Sequence, residues 1–463
     1  MTISIPEYIK QWLQNIFTRF PLEATAIVCW CMTLISKLFL YEELQSIDSV
    51  KVNSYLIIDF MNKLSALCIP LFLMCTLSIK NYAYKKINIY MYAIAGLFLV
   101  LYTMDTFVYK EWGSEQIQRN QDFFITITMI IISITCVPFL KGSVRQFWVV
   151  NNILFIKLLK TVTYCFALLV SLNIIFLIFD YTTKLKIQFW VYQLGFILIG
   201  CGFGPLYFLS EIPVFNKKYD NDVDLPKFYS IFSTAYLLPV SVGTLIGMYI
   251  ATISFLIKQM WPPMEMQILF IVTSNIILFL IFQFELLSST VKNKYVVIFL
   301  RYIYISIVPL AILFLIQLIR YVSQEGITEF WYLIGSYMIW IVGICTYFII
   351  SNKKDIRVIP ISLCVVLIML LIEPLKPYTI SVNSQYNHLI QMLKHNHTLD
   401  EKNKIALGKI PSLSSNDIEA IKNKLYFLEN HNALNMLKEQ YPYPIDKQAI
   451  TIQRLIDDLG LKL

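Results

Sequence analysis

Six ionisable residues at the ends of apolar runs are the first candidates for chemistry: Asp59, Asp105, Arg320, Glu325, Glu329 and Glu373. The topology derived below places all six at one membrane face. Carboxylates there could serve a membrane-embedded transferase that acts on a lipid-linked substrate, or they could form a docking surface for a polar domain. No metal-binding Asp-x-Asp and no nucleophile–base pair is visible among them, so the sequence favours docking.

Metal binding is the next chemistry to consider, because all four histidines lie in the C-terminal region, at His388, His395, His397 and His431. His395 and His397 with His388 could ligate a metal, but no acidic residue or cysteine stands at a recognised ligand spacing. The nine cysteines all fall within or beside apolar runs, which is typical of small buried side chains. We therefore expect no metal site and no cofactor.

Two glycine pairs at i, i+4 spacing are typical of close helix packing. Gly200 and Gly204 could be mistaken for part of a phosphate-binding loop, but they lie inside an apolar run and lack the following Lys-Ser/Thr. Gly243 and Gly247 repeat the spacing in the next run. The pattern predicts that all four glycines lie at helix–helix contacts.

Charged residues inside apolar runs indicate ion pairs rather than a transport pathway. Asp59 and Lys63 stand four residues apart, as a helical pair does. Glu285 and Arg301 flank a short turn between two runs and are expected to pair across it. A proton- or sodium-coupled carrier usually places carboxylates or broken helices at mid-depth. None of the charged residues lies there, which makes a transporter or lipid flippase the less favoured alternative.

The elements that position these residues are transmembrane helices. Of the 463 residues 57% are hydrophobic and only 15% are charged, against roughly a quarter charged in soluble domains. Apolar runs of about twenty residues, the length that crosses a bilayer as a helix, recur along the chain. The sequence predicts an all-α polytopic bundle with eleven spans, at 22–41, 56–79, 87–109, 122–140, 159–179, 188–209, 230–256, 264–284, 296–318, 329–350 and 356–374.

The charge distribution predicts the orientation of the bundle. The net charge is +8, but the basic residues are scattered in short turns and form no stripe, so nucleic acid is not an expected partner. Basic residues are about twice as numerous on the side that includes Lys10 and Arg19, which the positive-inside rule makes cytoplasmic. An odd number of spans then places the C-terminus outside the cytoplasm. The bilayer itself is the expected partner.

Three regions are predicted along the chain: an interfacial amphipathic helix at 1–20, a transmembrane domain at 21–375, and an extracytoplasmic helical tail at 376–463. The tail is polar, with Ile418, Ile421, Leu425 and Leu428 on one face of a helix. Because so short a segment makes only a marginal core by itself, we expect it to dock on the membrane domain.

The docking site is predicted at the turn that joins two spans. Gly326 can adopt a positive φ at little cost, Thr328 is placed to cap the next helix, and Glu329 lies in that helix's first turn. We expect the helix from Val382 to pack over Glu325–Glu329, with Gln385 within 5 Å or so of the turn. The alternative is that the turn and the Ser384-Gln385 pair each cap only their own helix.

The order of these segments resembles a known family. Phe228-Tyr229 precedes an apolar run that ends in Trp261-Pro262, and Glu325–Glu329 is followed by Ile359–Leu363 and by Ser384-Gln385. This pattern, over roughly 226–430, resembles the bacterial membrane-protein family catalogued as domain of unknown function 4153. The resemblance implies an architecture and no biochemical activity.

Taken together, these features predict a non-catalytic protein of the bacterial cytoplasmic membrane. The polar tail would serve envelope assembly or signalling, with envelope proteins as its partners. A transporter or flippase, and a transferase acting at the outer face, are the alternatives.

Overall fold

The structure, a computed structural model, is all-α in the residues that it describes. These are 5–43, 49–81, 85–108, 116–140, 142–183, 186–213, 231–290, 294–351, 355–396, 398–399, 404–405, 415–441 and 451–459. Backbone contacts divide the chain into two compact units, one of residues 1–110 and 126–224, the other of residues 111–125 and 225–463. The predicted tail, 376–463, lies entirely in the second unit.

The first unit is built from long apolar helices that follow a short N-terminal one: α1 Ile5–Arg19, α2 Pro21–Glu43, α3 Ser49–Asn81, α4 Lys85–Val108, the second half of α5 Gln116–Cys136, α6 Val144–Thr183, α7 Phe189–Phe196 and α8 Gly204–Glu211. A π-helical segment, Ile197–Phe203, joins α7 to α8 without a break in the helix. The extensive contact between α2 and α3 forms the centre of this unit, where Ile27 and Leu67 are fully buried.

The second unit continues with α9 Leu238–Ile257, which is preceded by a π-helical segment, Phe232–Leu237, and then α10 Glu265–Thr290, α11 Lys294–Glu325, α12 Glu329–Ile350 and α13 Val358–Met369. The tail adds α14 Pro377–His395, α15 Ser415–Asn430, a 3-10 helix Leu434–Gln440 and α16 Ile452–Asp458. The tightest pairing is between α11 and α12, whose short connection is the turn singled out from the sequence.

Nine helices among the described residues are long and apolar enough to cross a membrane, and two shorter apolar helices occur at Tyr90–Met104 and Val358–Met369. Each of the eleven predicted runs coincides with one of these eleven helices. Long apolar helices satisfy their backbone hydrogen bonds internally, as hydrocarbon surroundings require. The chain is an all-α, multi-pass membrane protein.

The glycine prediction is wrong for three of the four residues. A Cβ at Gly204 would lie 3.0 Å from Cys165 Sγ on α6, which is a close helix contact. At Gly200 the three atoms nearest to a Cβ belong to the ring of Phe196 on its own helix, and at Gly243 and Gly247 no described atom lies within 4 Å. Spacing alone does not show whether a neighbouring helix covers the glycine face of α9.

The glycine contacts in and before the π-helical segment differ from the predicted pair. The close contacts instead fall at Gly195, where a Cβ would lie 2.6 Å from Leu172 Cδ2, and at Gly202, where it would lie 3.3 Å from Cys31 Sγ. The sequence gives no sign of this change of helix type.

Gly204, which contacts a neighbouring helix, and Gly243, which has no described atom within 4 Å, provide a matched pair of substitutions. Gly204→Leu should destabilise the detergent-solubilised protein by about 1–3 kcal/mol, since it overpacks the contact with Cys165. Gly243→Leu should be neutral or stabilising, because a helical glycine costs roughly 0.5–1 kcal/mol relative to alanine. Thermal melting of the two purified variants measures the difference; equal melting temperatures would contradict the assignment.

Two ion-pair networks tie the helices of the first unit. Asp59 accepts from Lys37 at 2.5 Å and from Lys63 at 3.0 Å, so the predicted Asp59–Lys63 pair is present and has a further partner. Near the end of α8, Glu211 pairs with Lys157 at 2.7 Å and with Lys160 at 2.9 Å, both on α6.

Candidate functional site

The tail is a folded helical domain with a hydrophobic core of its own. Its amphipathic helices bury one apolar face each, and the 3-10 helix closes the core from the side. The buried residues include Leu389, Leu393, Ile421, Leu425, Leu428, Leu437 and Leu455. Ile421, Leu425 and Leu428 belong to the face predicted from the sequence. This core fixes α14 and α15 relative to each other, so that polar side chains from both helices can converge outside it.

Those side chains converge on the turn between α11 and α12. The helices end at Glu325 and begin again at Glu329, so three residues reverse the chain. Gly326 has φ +81°, a conformation that residues with a Cβ rarely adopt. The predicted glycine turn is therefore present.

The predicted contact between the tail and this turn is also present. The N–H of Ile327 donates to Ser384 Oγ at 2.9 Å. Gln385 Nε2 donates to the carbonyl oxygens of Ile327 at 3.1 Å and of Glu325 at 3.3 Å. A Cβ on Gly326 would lie 2.9 Å from Gln385 Nε2. Glycine is thus required both by the backbone conformation and by the approach of the tail.

Lys424, on α15, completes the contact and is 5% exposed. Its Nζ donates to the carbonyl oxygen of Glu325 at 2.6 Å and to Gln385 Oε1 at 3.3 Å. Gln385 therefore donates to the turn through its nitrogen and accepts from Lys424 through its oxygen. Burial lowers the pKa of Lys424, and the nearby Glu325 carboxylate opposes that shift.

A buried ion pair lies beside this contact. His431 Nε2 is 2.6 Å from Glu329 Oε1, with the two side chains 9% and 13% exposed. His431 Nδ1 is 2.7 Å from the carbonyl oxygen of Phe427. Because both neighbours are acceptors, both ring nitrogens must donate, which requires the imidazolium form. The Ser381 hydroxyl donates to the same Glu329 oxygen at 2.7 Å.

The environment of His431 favours its charged form. Burial lowers the pKa of His431, but the hydrogen bonds to Glu329 and to the Phe427 carbonyl outweigh burial, and the pKa is raised above its usual 6.5. The ring stacks on Phe427 at 4.0 Å between centroids, and the Tyr378 hydroxyl donates to the His431 carbonyl. The pair therefore fastens α12 to both α14 and α15.

A cleft of about 360 Å³ opens next to these contacts. Its wall is shared between the turn and the tail and includes the polar residues Glu325, Gln385, Asn416, Glu419, Asn423 and Lys424. A cleft of this composition can accept hydrogen-bonding groups of either charge. Since both the turn and the tail contribute to it, it exists in this form only when the tail is docked.

Five of the six residues predicted at the outer face have described side chains, and the four in the second unit have different surroundings. In the second unit, Glu329 bonds His431 and Ser381, Arg320 lies 5.2 Å from the Trp261 ring, and Glu373 accepts from Thr379 Oγ1 at 3.1 Å. The Glu325 side chain is exposed. In the first unit, Asp59 pairs with Lys37 and Lys63.

Several predicted residues lie outside the part of the chain whose side chains are described. These are Asp105, Glu285 and His397, so the predicted Glu285–Arg301 pair remains a prediction. His388 is half-buried and His395 is exposed. Among the described residues, no three His, Cys, Asp or Glu side chains are grouped as a metal ion would require.

The capping role predicted for Thr328 is wrong. Thr328 does occupy the position before the first turn of α12, but its side chain makes no capping hydrogen bond. Ser384 and Gln385 from the tail supply partners to the turn instead. The sequence analysis did not predict that Lys424 and His431 contact the turn, although their position along the helix indicates that both are buried. Both lie on the helical face of Ile421, Leu425 and Leu428, where a polar residue must find a buried partner.

No protein-family model, curated protein or solved structure matches this chain. The function must therefore be argued from the geometry of the docked tail.

Proposed function

We propose that the chain is a non-catalytic protein of the bacterial cytoplasmic membrane that serves envelope assembly or signalling through its docked tail. The observation that carries this proposal is the buried polar junction between the tail and the Gly326 turn. Gln385, Lys424 and the His431–Glu329 pair hold one defined arrangement of the two parts. A segment that served only as a polar end of the chain would need no such junction.

The junction supports docking over catalysis. Glu329, one of the carboxylates predicted at the outer face, is committed to His431 and Ser381. The cleft beside it offers the carboxylates of Glu325 and Glu419 and the amides of Asn416 and Asn423 to a partner. We propose that an envelope protein binds this cleft and so responds to whether the tail is seated.

The orientation and the family are part of the same proposal. The excess of basic residues on the side of Lys10 and Arg19 supports a cytoplasmic N-terminus and an extracytoplasmic tail. The order of segments from Phe228 to Gln385 supports membership of the family catalogued as domain of unknown function 4153. Neither the orientation nor the family implies that the chain catalyses a reaction.

Site-specific photocrosslinking in cells tests the proposal. A photoreactive residue at Asn423, in the cleft, should crosslink to one or a few envelope proteins. The same residue at His395, which is exposed on α14 and does not line the cleft, should not. The Asn423 crosslinks should fall at least severalfold when Gly326→Val disrupts the junction.

The orientation is checked in the same strains with a reporter fused after Leu463, which should be active only if it is exported. Identical crosslinks at Asn423 and His395, or crosslinks that survive disruption of the junction, would argue against a partner site in the cleft. Solute flux in vesicles containing the purified protein would favour a transporter instead.

A further inference from the structure

The outward face of α10 carries a side-chain amide at the centre of a membrane span. The span Glu265–Phe284 has 20 residues, and Asn275 lies about 15 Å along the helix from its start, close to its midpoint. The Asn275 side chain is exposed. The other uncharged polar residues of this span are buried inside the protein: Gln267, Thr273, Ser274 and Gln283. Asn275 therefore faces outward at the depth where water is least available.

Only part of the hydrogen-bonding capacity of Asn275 is used within the chain. Its Nδ2 donates to the carbonyl oxygen of Ile271, one turn earlier on the same helix, at 2.8 Å. An amide side chain has a second N–H to donate and an oxygen that can accept. Neither of these makes a hydrogen bond to the part of the chain that the structure describes. Because hydrocarbon supplies no donors or acceptors, another protein helix must provide them.

Apolar residues extend this face of α10 on both sides of the amide. Ile268, Val272, Asn275, Phe279 and Phe282 follow one another at spacings of four, three, four and three residues, which places them along one side of the helix. Ile268 and Val272 are 45% and 53% exposed, and the two phenylalanines are half-buried. A seam of this spacing with one central asparagine is typical of two paired helices, in which the polar residue fixes the register.

The chemistry of the amide indicates which helix occupies this face. Copies of one membrane protein insert in the same orientation, so a twofold axis that relates two of them runs along the membrane normal. Two α10 helices beside that axis are parallel, and Asn275 meets its own counterpart at the same depth. Each amide is complementary to the other, because each has a free N–H and a free oxygen. A different partner would need a hydrogen-bonding side chain at this depth, whereas a second copy necessarily has one.

We propose that the chain forms a homodimer through α10, with the two Asn275 amides hydrogen-bonded to each other at the centre of the membrane. Ile268 and Val272 then pack against their counterparts. Glu265, the only charged residue of the span, lies at its end, where water screens the two carboxylates from each other. The interface includes no residue of the tail or of the cleft beside it, so the dimer does not depend on the function proposed for the tail.

Energy transfer between donor-labelled and acceptor-labelled full-length protein in lipid vesicles tests this proposal. Dilution with lipid gives the dissociation constant of the dimer. Asn275→Leu should weaken association about 3- to 16-fold, the range that corresponds to the measured strength of an interhelical hydrogen bond in a membrane. Asn275→Gln, which keeps an amide at this depth, should retain most of the affinity.

A matched control for the loss of an exposed amide lies on α6. Asn173 is also exposed and belongs to a candidate membrane span, and its Nδ2 donates to the carbonyl oxygen of Leu169 at 2.7 Å. Asn173→Leu should leave the dissociation constant unchanged, because α6 takes no part in the interface. The comparison separates a specific contact of Asn275 from a general effect of removing a polar side chain.

A second pair of variants tests the packing of the seam. Val272→Trp adds bulk between the two helices and should weaken association at least severalfold. Ile250→Trp, at a position of α9 that is 63% exposed, should not. Both positions face outward in the single chain, so neither variant should lose helix content in circular dichroism.

Three results would overturn the proposal. They are the absence of energy transfer at every protein-to-lipid ratio, equal dissociation constants for Asn275→Leu and Asn173→Leu, and undiminished association of Val272→Trp. A chain that stays monomeric in vesicles but associates through Asn275 with a different membrane protein would assign this face to that partner and would also overturn it.

Discussion

Replacing His431 with alanine is expected to weaken the seating of the tail by about 3–5 kcal/mol, because it leaves the Glu329 carboxylate buried without its cation. The side chains of both partners are largely buried and only 2.6 Å apart. The substitution also removes the stacking on Phe427. Limited proteolysis and amide hydrogen exchange of α14 and α15 measure the loss. His395→Ala, on an exposed position of the tail, should change stability by less than about 0.5 kcal/mol.

The same pair predicts a pH dependence whose sign follows from the raised pKa of His431. The folded protein binds this proton more tightly than the unfolded chain, so the stabilisation is fully present below about pH 6.5. It is lost as pH rises through the pKa of the folded state, which lies above that value. Glu329 and Ser381 face the ring from α12 and α14, and Tyr378 bonds its backbone.

Hydrogen exchange in the tail should therefore accelerate as pH rises above 6.5, beyond the intrinsic effect of pH on exchange. In His431→Ala this extra acceleration should disappear. If the variant and the unmodified protein show the same pH profile, the imidazolium form does not hold the junction.

Gly326→Val has the second large expected effect, because two penalties act at one position. A β-branched residue at φ +81° costs about 1–3 kcal/mol. In addition, the new Cβ would lie 2.9 Å from Gln385 Nε2, whose amide is fixed by its bonds to the turn and to Lys424. We expect the tail to detach from the turn while its own core stays folded. Protease cleavage between α13 and α15 should increase several-fold.

A double variant separates the two penalties. Gln385→Ala removes the clash but not the strained φ, so the effects of Gly326→Val and Gln385→Ala should be clearly non-additive. Gly343→Val is the matched control, since no described atom lies within 4 Å of a Cβ there. Additive effects, or a control as damaging as Gly326→Val, would rule out the direct contact between Gly326 and Gln385.

The parts of the junction that could be predicted from the sequence are those determined by local chemistry. A glycine between two helices indicates a positive φ, and a carboxylate after it suits a helix start. These two inferences needed only a few neighbouring residues. Ser384 and Gln385, by contrast, were predicted to meet the turn because both belong to the order of segments described in the sequence analysis.

The contacts of Lys424 and His431 could not be predicted from neighbouring residues alone. Their partners, Glu325 and Glu329, lie about a hundred residues earlier, and no local pattern names them. The register of α15 did show that both positions lie on its apolar face. A buried lysine or histidine requires a partner, but only the packing of the tail decides which one it meets.

The prediction of helix–helix contacts at the glycines was wrong for a different reason. Gly200 and Gly204 have the spacing of a packing motif, but of the two only Gly204 has an atom of a neighbouring helix among its nearest contacts. At Gly243 and Gly247 the helix is regular, yet the glycine face is uncovered in the described structure. Helix type and neighbour are both tertiary properties, which a four-residue spacing does not encode.

The π-helical segment before α8 also determines which way each side chain of that helix points around the helix axis. If Ile197–Phe203 kept all its residues but became α-helical, every residue after it would turn by about 100° about the helix axis. Glu211 would then move away from Lys157 and Lys160, which now hold it at 2.7 Å and 2.9 Å. The wider turns of the π-helical segment are therefore what place this carboxylate between the two lysines.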